Sequence, residues 1–273
     1  MSASFIVVPQ WQGSGSSRAM RLIEGAEAIG GDLPFSATTR VDVPSGAGSS
    51  MDTGVQRLSS VARVRDELAA VLRETASPAV VIGGDCGVEL AAIDHAMQQG
   101  DVAVVWLDAH ADLNTPVSSP SGAFHGMVLR TLLGDGADEL VPTTPVPAHR
   151  VILAGTRALD EAENDFVEAA GITMLPPDAL TADSLAEAVR ETGASRVYIH
   201  VDLDVLDPAE FGCVSYPEPF GITLADLLAL IGAVRDVAPL VGAGITEFAP
   251  ASIDSAVDDL PSILRIVGAL TRS

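Results

Sequence analysis

Four short stretches of this chain run from an apolar segment straight into carboxylates. Ala79 to Ile82 leads into Gly83-Gly84-Asp85-Cys86-Gly87, and Val102 to Leu107 leads into Asp108-Ala109-His110-Ala111-Asp112-Leu113-Asn114. Val197 to Val201 leads into Asp202-Leu203-Asp204-Val205-Leu206-Asp207-Pro208, and Leu240 to Ile245 into Thr246-Glu247-Phe248. An ionised carboxylate taken out of water is costly without a partner, and like charges brought together add to the cost. Few basic residues stand near these segments, so a hard divalent cation is the simplest counter-charge, because carboxylate oxygens with an imidazole suit Mn²⁺ and related ions. Asp108 and Asp202 are placed to bridge, and with Asp112, Asp204 and His110 beside them they suit two ions about 3.5–4 Å apart, the arrangement that activates water for attack. Each residue alone has a plainer reading: Asp108 or Asp202 as a cap or turn residue, His110 as an ordinary polar histidine, Asp207 before Pro208 as a turn. Recurrence at several segment ends is what favours chemistry.

Positioning such groups requires elements that end together. Apolar runs at Ser4 to Val8, Thr38 to Val43, Ala79 to Ile82, Val102 to Leu107, Val151 to Ala154, Ile172 to Leu175, Val197 to Val201 and Leu240 to Ile245 read as about eight buried strands. Stretches with helical spacing lie between most of them: Gln56 to Glu74, Val88 to Gln98, Glu161 to Ala170, Ser184 to Thr192, Leu224 to Val237 and Ser252 to Leu270. Parallel strands need crossovers of about a dozen residues, so this alternation predicts a three-layer α/β/α sandwich with a mostly parallel sheet. Ligand sites in such sheets gather at the carboxyl ends of the strands, where the carboxylates stand. Gly-, Ser-, Thr- and Pro-rich segments at Pro44 to Ser50, Thr115 to Gly122 and Pro142 to Pro147 read as loops inside the alternation. Residues 1–273 are therefore expected to form one domain.

Composition narrows the partners. The chain carries 15 basic and 37 acidic residues, a formal charge of -22, which repels nucleic acid and anionic membrane surfaces. Cys86 and Cys213 are too few for a disulfide framework. The N-terminal segment lacks the basic region of a signal peptide, and no apolar stretch reaches membrane-spanning length. A cytoplasmic protein is expected, with homo-oligomerisation left open.

The segments Asp108 to Asn114, Ser121-Gly122-Ala123-Phe124-His125-Gly126-Met127 and Asp202 to Pro208 resemble three signature motifs of the arginase, agmatinase and formimidoylglutamase superfamily. The resemblance extends from the Gly83-Gly84-Asp85 turn to Glu247. It implies an arginase-like fold and hydrolysis of a guanidine C–N bond with Mn²⁺ as cofactor. Asp108 and Asp202 would bridge two ions, His110 and Asp204 would complete the second site, and Asp112 would belong to the first and orient the nucleophile. His125 would be the proton shuttle, and Glu247 would accept hydrogen bonds from the substrate guanidinium. For the amino-acid end of the substrate, the resemblance places Asp160 and Glu163 at the α-amino group and Asn114 and Ser121 at the carboxylate. Asp160 and Glu163 as plain helix-start carboxylates are close competitors.

Two positions depart from the pattern. Ala123 stands where arginases usually have asparagine, which removes one carboxylate donor. Cys86 stands where the superfamily has a histidine ligand of the first ion. Thiolate is soft and Mn²⁺ favours harder donors, so the first ion is expected to bind weakly or be absent, leaving one Mn²⁺ at Asp108, His110, Asp202 and Asp204. The alternative is that Cys86 does coordinate a second ion, in line with the preference of thiolate for Zn²⁺. A single ion activates water less than a bridged pair, so a substrate with a better leaving group or a more easily neutralised guanidine is favoured. N-hydroxyguanidines are the more easily neutralised guanidines. Within the superfamily the resemblance runs to the Nω-hydroxy-L-arginine amidinohydrolases of D-cycloserine biosynthesis, an antibiotic pathway, which implies L-ornithine and hydroxyurea as products. An arginase, an agmatinase, or an inactive member used for binding are the other readings.

Overall fold

The computed structural model describes residues 3–75 and 78–272. Its strands are β1 (Ser4–Val8), β2 (Thr38–Arg40), β3 (Ala79–Gly83), β4 (Val102–Leu107), β5 (Val151–Ala154), β6 (Thr173–Leu175), β7 (Arg196–Asp202) and β8 (Leu240–Thr246). Its helices are α1 (Arg21–Gly31), α2 (Leu58–Glu74), α3 (Glu89–Met97), α4 (Val128–Leu132), α5 (Glu161–Ala170), α6 (Ala182–Glu191), α7 (Leu224–Val237) and α8 (Ile253–Thr271). The eight strands form one sheet in the order β2-β1-β3-β8-β7-β4-β5-β6, and every pairing is parallel.

Residues alternate across the sheet as the period of a strand requires. Phe5, Val7, Val80, Ile82, Val105 and Leu107 join one core with Ala26 and Ile29 of α1, Leu185 of α6, Leu227 and Ile231 of α7 and Ile263 of α8. Ile6, Val8, Val81, Val104 and Trp106 join the other with Val64 and Leu68 of α2, Ile93 of α3, Leu129 of α4 and Val167 of α5. Helices thus cover both faces. Each fully buried aliphatic side chain contributes about 1.5–3 kcal/mol of transfer free energy, and this two-sided burial explains why β3 and β4 are apolar throughout rather than alternating.

The expected strands are present, with one clear shortening. β2 stops at Arg40 rather than Val43 because it is an edge strand paired only with β1. After the Val41 N–H donates to Val7 O (2.9 Å), the chain turns towards Pro44, which has no N–H to continue a ladder. Two helices, α1 and α4, were not anticipated. In α1 the apolar face is Leu22, Gly25, Ala26 and Ile29, and its glycines weaken the helical signal. Gly25 is required by packing, since a Cβ there would lie 1.9 Å from the carbonyl oxygen of Phe248. Helix α4 is a single short turn of five residues, below the length at which periodicity is readable.

Candidate metal centre

Neighbours β3, β8, β7 and β4 lie at the centre of the sheet. Because they run parallel, their carboxyl ends deliver Asp85 and Cys86, Glu247, Asp202 and Asp108 to one place. Register makes the meeting close: Leu107 pairs Val201, and Asp202 pairs Thr246.

Asp108, Asp112, Asp202, Asp204 and Glu247 are all buried. The Asp108 carboxylate accepts from the His110 N–H at Oδ1 (2.7 Å) and from the Trp106 indole at Oδ2 (3.0 Å). Asp202 accepts from the Asp204 N–H (2.8 Å), and Asp204 accepts from the Ala109 N–H (3.1 Å), tying the β4 and β7 loops together. His110 Nδ1 lies 3.0 Å from Asp204 Oδ2 and 3.6 Å from Asp108 Oδ1. Cys86 donates from its thiol to Asp202 Oδ2 (3.0 Å) and lies 3.3 Å from Thr246 Oγ1.

Electrostatically the cluster has no positive counter-charge beyond its own imidazoles. The chain contains no lysine, and among the described residues no arginine forms an ion pair with these five carboxylates. Burial raises the pKa of Asp112, Asp202, Asp204 and Glu247, and the neighbouring carboxylates raise each further. Burial also pushes the Cys86 thiol up, helped by Asp202. Asp108 feels the same burial, yet the imidazoles of His110 and His200 beside it bring its pKa below the usual carboxylate range.

Two of the carboxylates are held in strained backbone. Asp112 has φ 53° and Glu247 φ 65°, a left-handed conformation uncommon outside glycine and one that collects at functional sites. Asp112 Oδ2 and both Glu247 oxygens are buried without a hydrogen-bond partner. Orphaned anionic oxygens beside a carboxylate and imidazole cluster fit a cation, and the oxygen and nitrogen donors of Asp108, His110 and Asp204, each offering an atom within 4.8 Å of the others, fit Mn²⁺.

Of the remaining expected residues, His125 meets the cluster directly. His125 lies 4.0 Å from Glu247 Oε1 through its Nδ1 and stacks on Tyr216 at 4.9 Å between ring centroids. Burial, then the charge of His110, lowers its pKa to about 4. Asn114 donates to Asp160 Oδ2 (2.8 Å). Glu163 caps α5: its Oε2 accepts from the Asp160 N–H (2.8 Å) and its Oε1 from the Leu113 N–H (2.9 Å), so both oxygens already hold backbone. Ser121 is exposed and accepts from the Ala123 N–H (3.1 Å). Asp85 is a brace rather than a candidate ligand: Oδ2 accepts from Gly13 N (2.9 Å) and Oδ1 from Gln10 Nε2 and Gly87 N (both 2.8 Å).

Sequence reasoning missed His200, Glu89, Trp106 and Tyr216. The readable signal for His200 was a histidine inside an otherwise apolar strand, two residues before Asp202 and therefore on the same face. Tyr216 comes from a long loop with no such signal.

Comparison with known proteins gives the family. The model of the arginase family matches residues 16–258. The chain belongs to the arginase family. It is 31% identical over 219 residues to the Nω-hydroxy-L-arginine amidinohydrolase of Streptomyces lavendulae, covering 75% of this chain and 76% of that protein. It is 29% identical over 207 residues to the arginase of Bacillus caldovelox, covering 71% and 67%. In fold it is similar to Entamoeba histolytica arginase in complex with L-ornithine, with a TM-score of 0.87 at 24% identity over 98% of this chain and 97% of that one. As an arginase-family member it is a ureohydrolase acting on guanidino C–N bonds. Among the described residues no helix is long and apolar enough to cross a membrane.

Proposed function

We propose that this chain is a Mn²⁺-dependent amidinohydrolase that converts Nω-hydroxy-L-arginine to L-ornithine and hydroxyurea, with the place in a D-cycloserine type of pathway that this reaction implies. The observation that carries the reading is the asymmetry of the centre. Around His110 the donors are oxygen and nitrogen, whereas the neighbouring position meets a buried thiol that donates to Asp202. One Mn²⁺ held by Asp108, His110, Asp202 and Asp204 fits the first set, and the second is a poor manganese site. When bound, Mn²⁺ supplies Lewis acidity that makes water nucleophilic near pH 7 and neutralises charge developing at the guanidine.

The protein supplies the rest. Glu247 accepts hydrogen bonds from the guanidinium with its two unpartnered oxygens and holds the carbon in line for attack. Asp112 orients the attacking water. Water adds to the guanidine carbon, the bond to the δ-nitrogen of ornithine breaks, and that nitrogen leaves with a proton. His125, neutral at pH 7 because its pKa is lowered to about 4, takes the proton released by water and passes it to the leaving amine. Asp160 is the closest match to an α-amino contact, with Glu163 fixing its backbone, and Asn114 and Ser121 serve the carboxylate. Ala123 makes recognition of that end looser.

Similarity to an arginase at nearly the same level supports L-arginine as the second substrate reading. Ornithine release from the two substrates, measured side by side with Mn content on the same sample, decides between them. Preference for the hydroxylated substrate with about one Mn²⁺ per chain supports the proposal. Equal or better turnover of L-arginine with two Mn²⁺ ions overturns it.

A further inference from the structure

Beside the thiol stands a histidine outside the resemblance. His200 precedes Asp202 by two residues on β7, so both side chains leave the same face of the sheet. Parallel register sets it against Trp106 on β4, and the two rings stack at 3.7 Å. His200 is fully buried, yet neither ring nitrogen has a hydrogen-bond partner. Nε2 lies 3.6 Å from Asp108 Oδ2 and Nδ1 lies 3.5 Å from Glu89 Oε1. Cys86, Asp108, His200 and Asp202 each offer a ligand atom within 4.8 Å of the others.

We propose that these four side chains form a site for a thiophilic divalent cation of the Zn²⁺ class, adjoining the Mn²⁺ site, with His200 supplying the imidazole that position 86 lacks. The proposal rests on the manganese reading of the neighbouring site and deepens it, by giving the other position a different ion. One thiolate, one imidazole and two carboxylates form a tetrahedral zinc donor set. Zinc bond lengths place such donors roughly 3.3–3.6 Å apart. The Nε2 to Asp108 Oδ2 distance of 3.6 Å is long for a hydrogen bond but fits donors sharing one ion, whereas Cys86 Sγ and Asp202 Oδ2, 3.0 Å apart through the thiol proton, must separate by a few tenths of an ångström when an ion replaces that proton. Coordination itself removes the thiol proton.

Support behind the imidazole has the form expected of a metal ligand. Ligating histidines present their other nitrogen to a carboxylate, which selects the tautomer and aims the ring. Glu89, fully buried at the start of α3, stands at Nδ1 and is held in turn by the Tyr198 hydroxyl (2.7 Å). Gly244 makes room for it, since a Cβ there would lie 1.6 Å from Glu89 Oε1. A histidine used only to fill the core has no need of a buried carboxylate with its own tyrosine donor.

The test is a Co²⁺ titration of the Mn²⁺-loaded full chain, followed by the thiolate-to-cobalt charge-transfer absorption, with Zn²⁺ as competitor. Mn content before and during the titration reads the neighbouring site independently. The expected result is one thiolate-bound Co²⁺ per chain, displaced by Zn²⁺, unchanged in Cys213→Ser and absent in Cys86→Ser. His200→Gln and His200→Asn should weaken binding at least about 10-fold, and Glu89→Gln by about 10–100-fold. Absence of the band in the wild-type chain, which needs no variant to fold, overturns the proposal. So does a folded His200 variant that binds Co²⁺ as the wild type does, which leaves His200 as core packing. Failure of the chain to retain Mn²⁺ before Co²⁺ is added overturns instead the manganese reading.

Discussion

Glu247→Gln should move activity and stability in opposite directions. The side chain is 2% exposed, neither oxygen has a hydrogen-bond partner, and its backbone holds φ 65°. The Ser215 hydroxyl is near enough to lower the Glu247 pKa but makes no bond of normal geometry. Burial and the charges of Asp85 and Asp204 push that pKa well up, so at neutral pH the ionised form works against folding. Gln keeps the shape and removes the charge. The relief offsets part of a penalty of about 1–3 kcal/mol for an unsatisfied buried group, and a gain of about 1 kcal/mol in a chain near this size corresponds to roughly 2–4 °C in Tm. Substrate binding loses a buried charge-assisted pair, which costs about 2–5 kcal/mol and lowers kcat/KM by about 30-fold to several thousand-fold at 1.4 kcal/mol per decade. Thermal melts on EDTA-treated protein and steady-state ornithine release measure the two effects. Full activity in the variant refutes the guanidinium contact. A Tm several degrees lower shows instead that Glu247 holds the fold through a partner, and the argument from its orphaned oxygens fails.

Further expectations rest on separate observations. His110→Ala should lose Mn²⁺ and activity together, read by elemental analysis and ornithine release; a variant that keeps both refutes the ligand assignment. Metal-stripped protein should lose stability as pH rises from 5 to 9. Asp112, Asp202 and Glu247 have folded pKa values above their unfolded ones, so their contribution is fully present only at low pH and is lost as pH climbs. His200, pushed up to about 9 because Asp108 and Glu89 outweigh burial, has the same sign and fades as pH passes that value. Asp108, with a lowered pKa, acts oppositely only below its ordinary value of 3.8, and His125, lowered to about 4, opposes the decline only up to its ordinary value of 6.5, so the loss is steepest above that pH. Scanning fluorimetry should show the decline, and added Mn²⁺ should raise Tm most at the alkaline end; a flat profile contradicts the electrostatic reading. Gly25→Ala should destabilise the chain by about 1–3 kcal/mol in denaturant melts, because its Cβ meets the Phe248 carbonyl 1.9 Å away, next to Glu247; a neutral effect argues against that close packing.

Much of this protein was determined by local sequence. Runs such as Val102 to Leu107 are apolar because both sheet faces are buried, and the alternation of such runs with helical spacing compels parallel pairing. The carboxylates directly after those runs followed from the same logic, since parallel strands end together. Tertiary structure alone decided the order β3-β8-β7-β4, which sets the first and the last of the site-bearing strands side by side through contacts far apart in the chain. It also decided what the charges do. Glu163, equally placed in sequence to meet an amino group or a helix start, is drawn to the N–H groups of Asp160 and Leu113 because unpaired backbone donors at a helix terminus must be satisfied. His200 read as one residue of an apolar strand until the register with Trp106 and the buried Glu89 gave its ring a direction. Hydrophobic period is a property of neighbouring residues and survives in the sequence, whereas the partner of a buried polar atom is set by elements that meet only when the sheet has assembled.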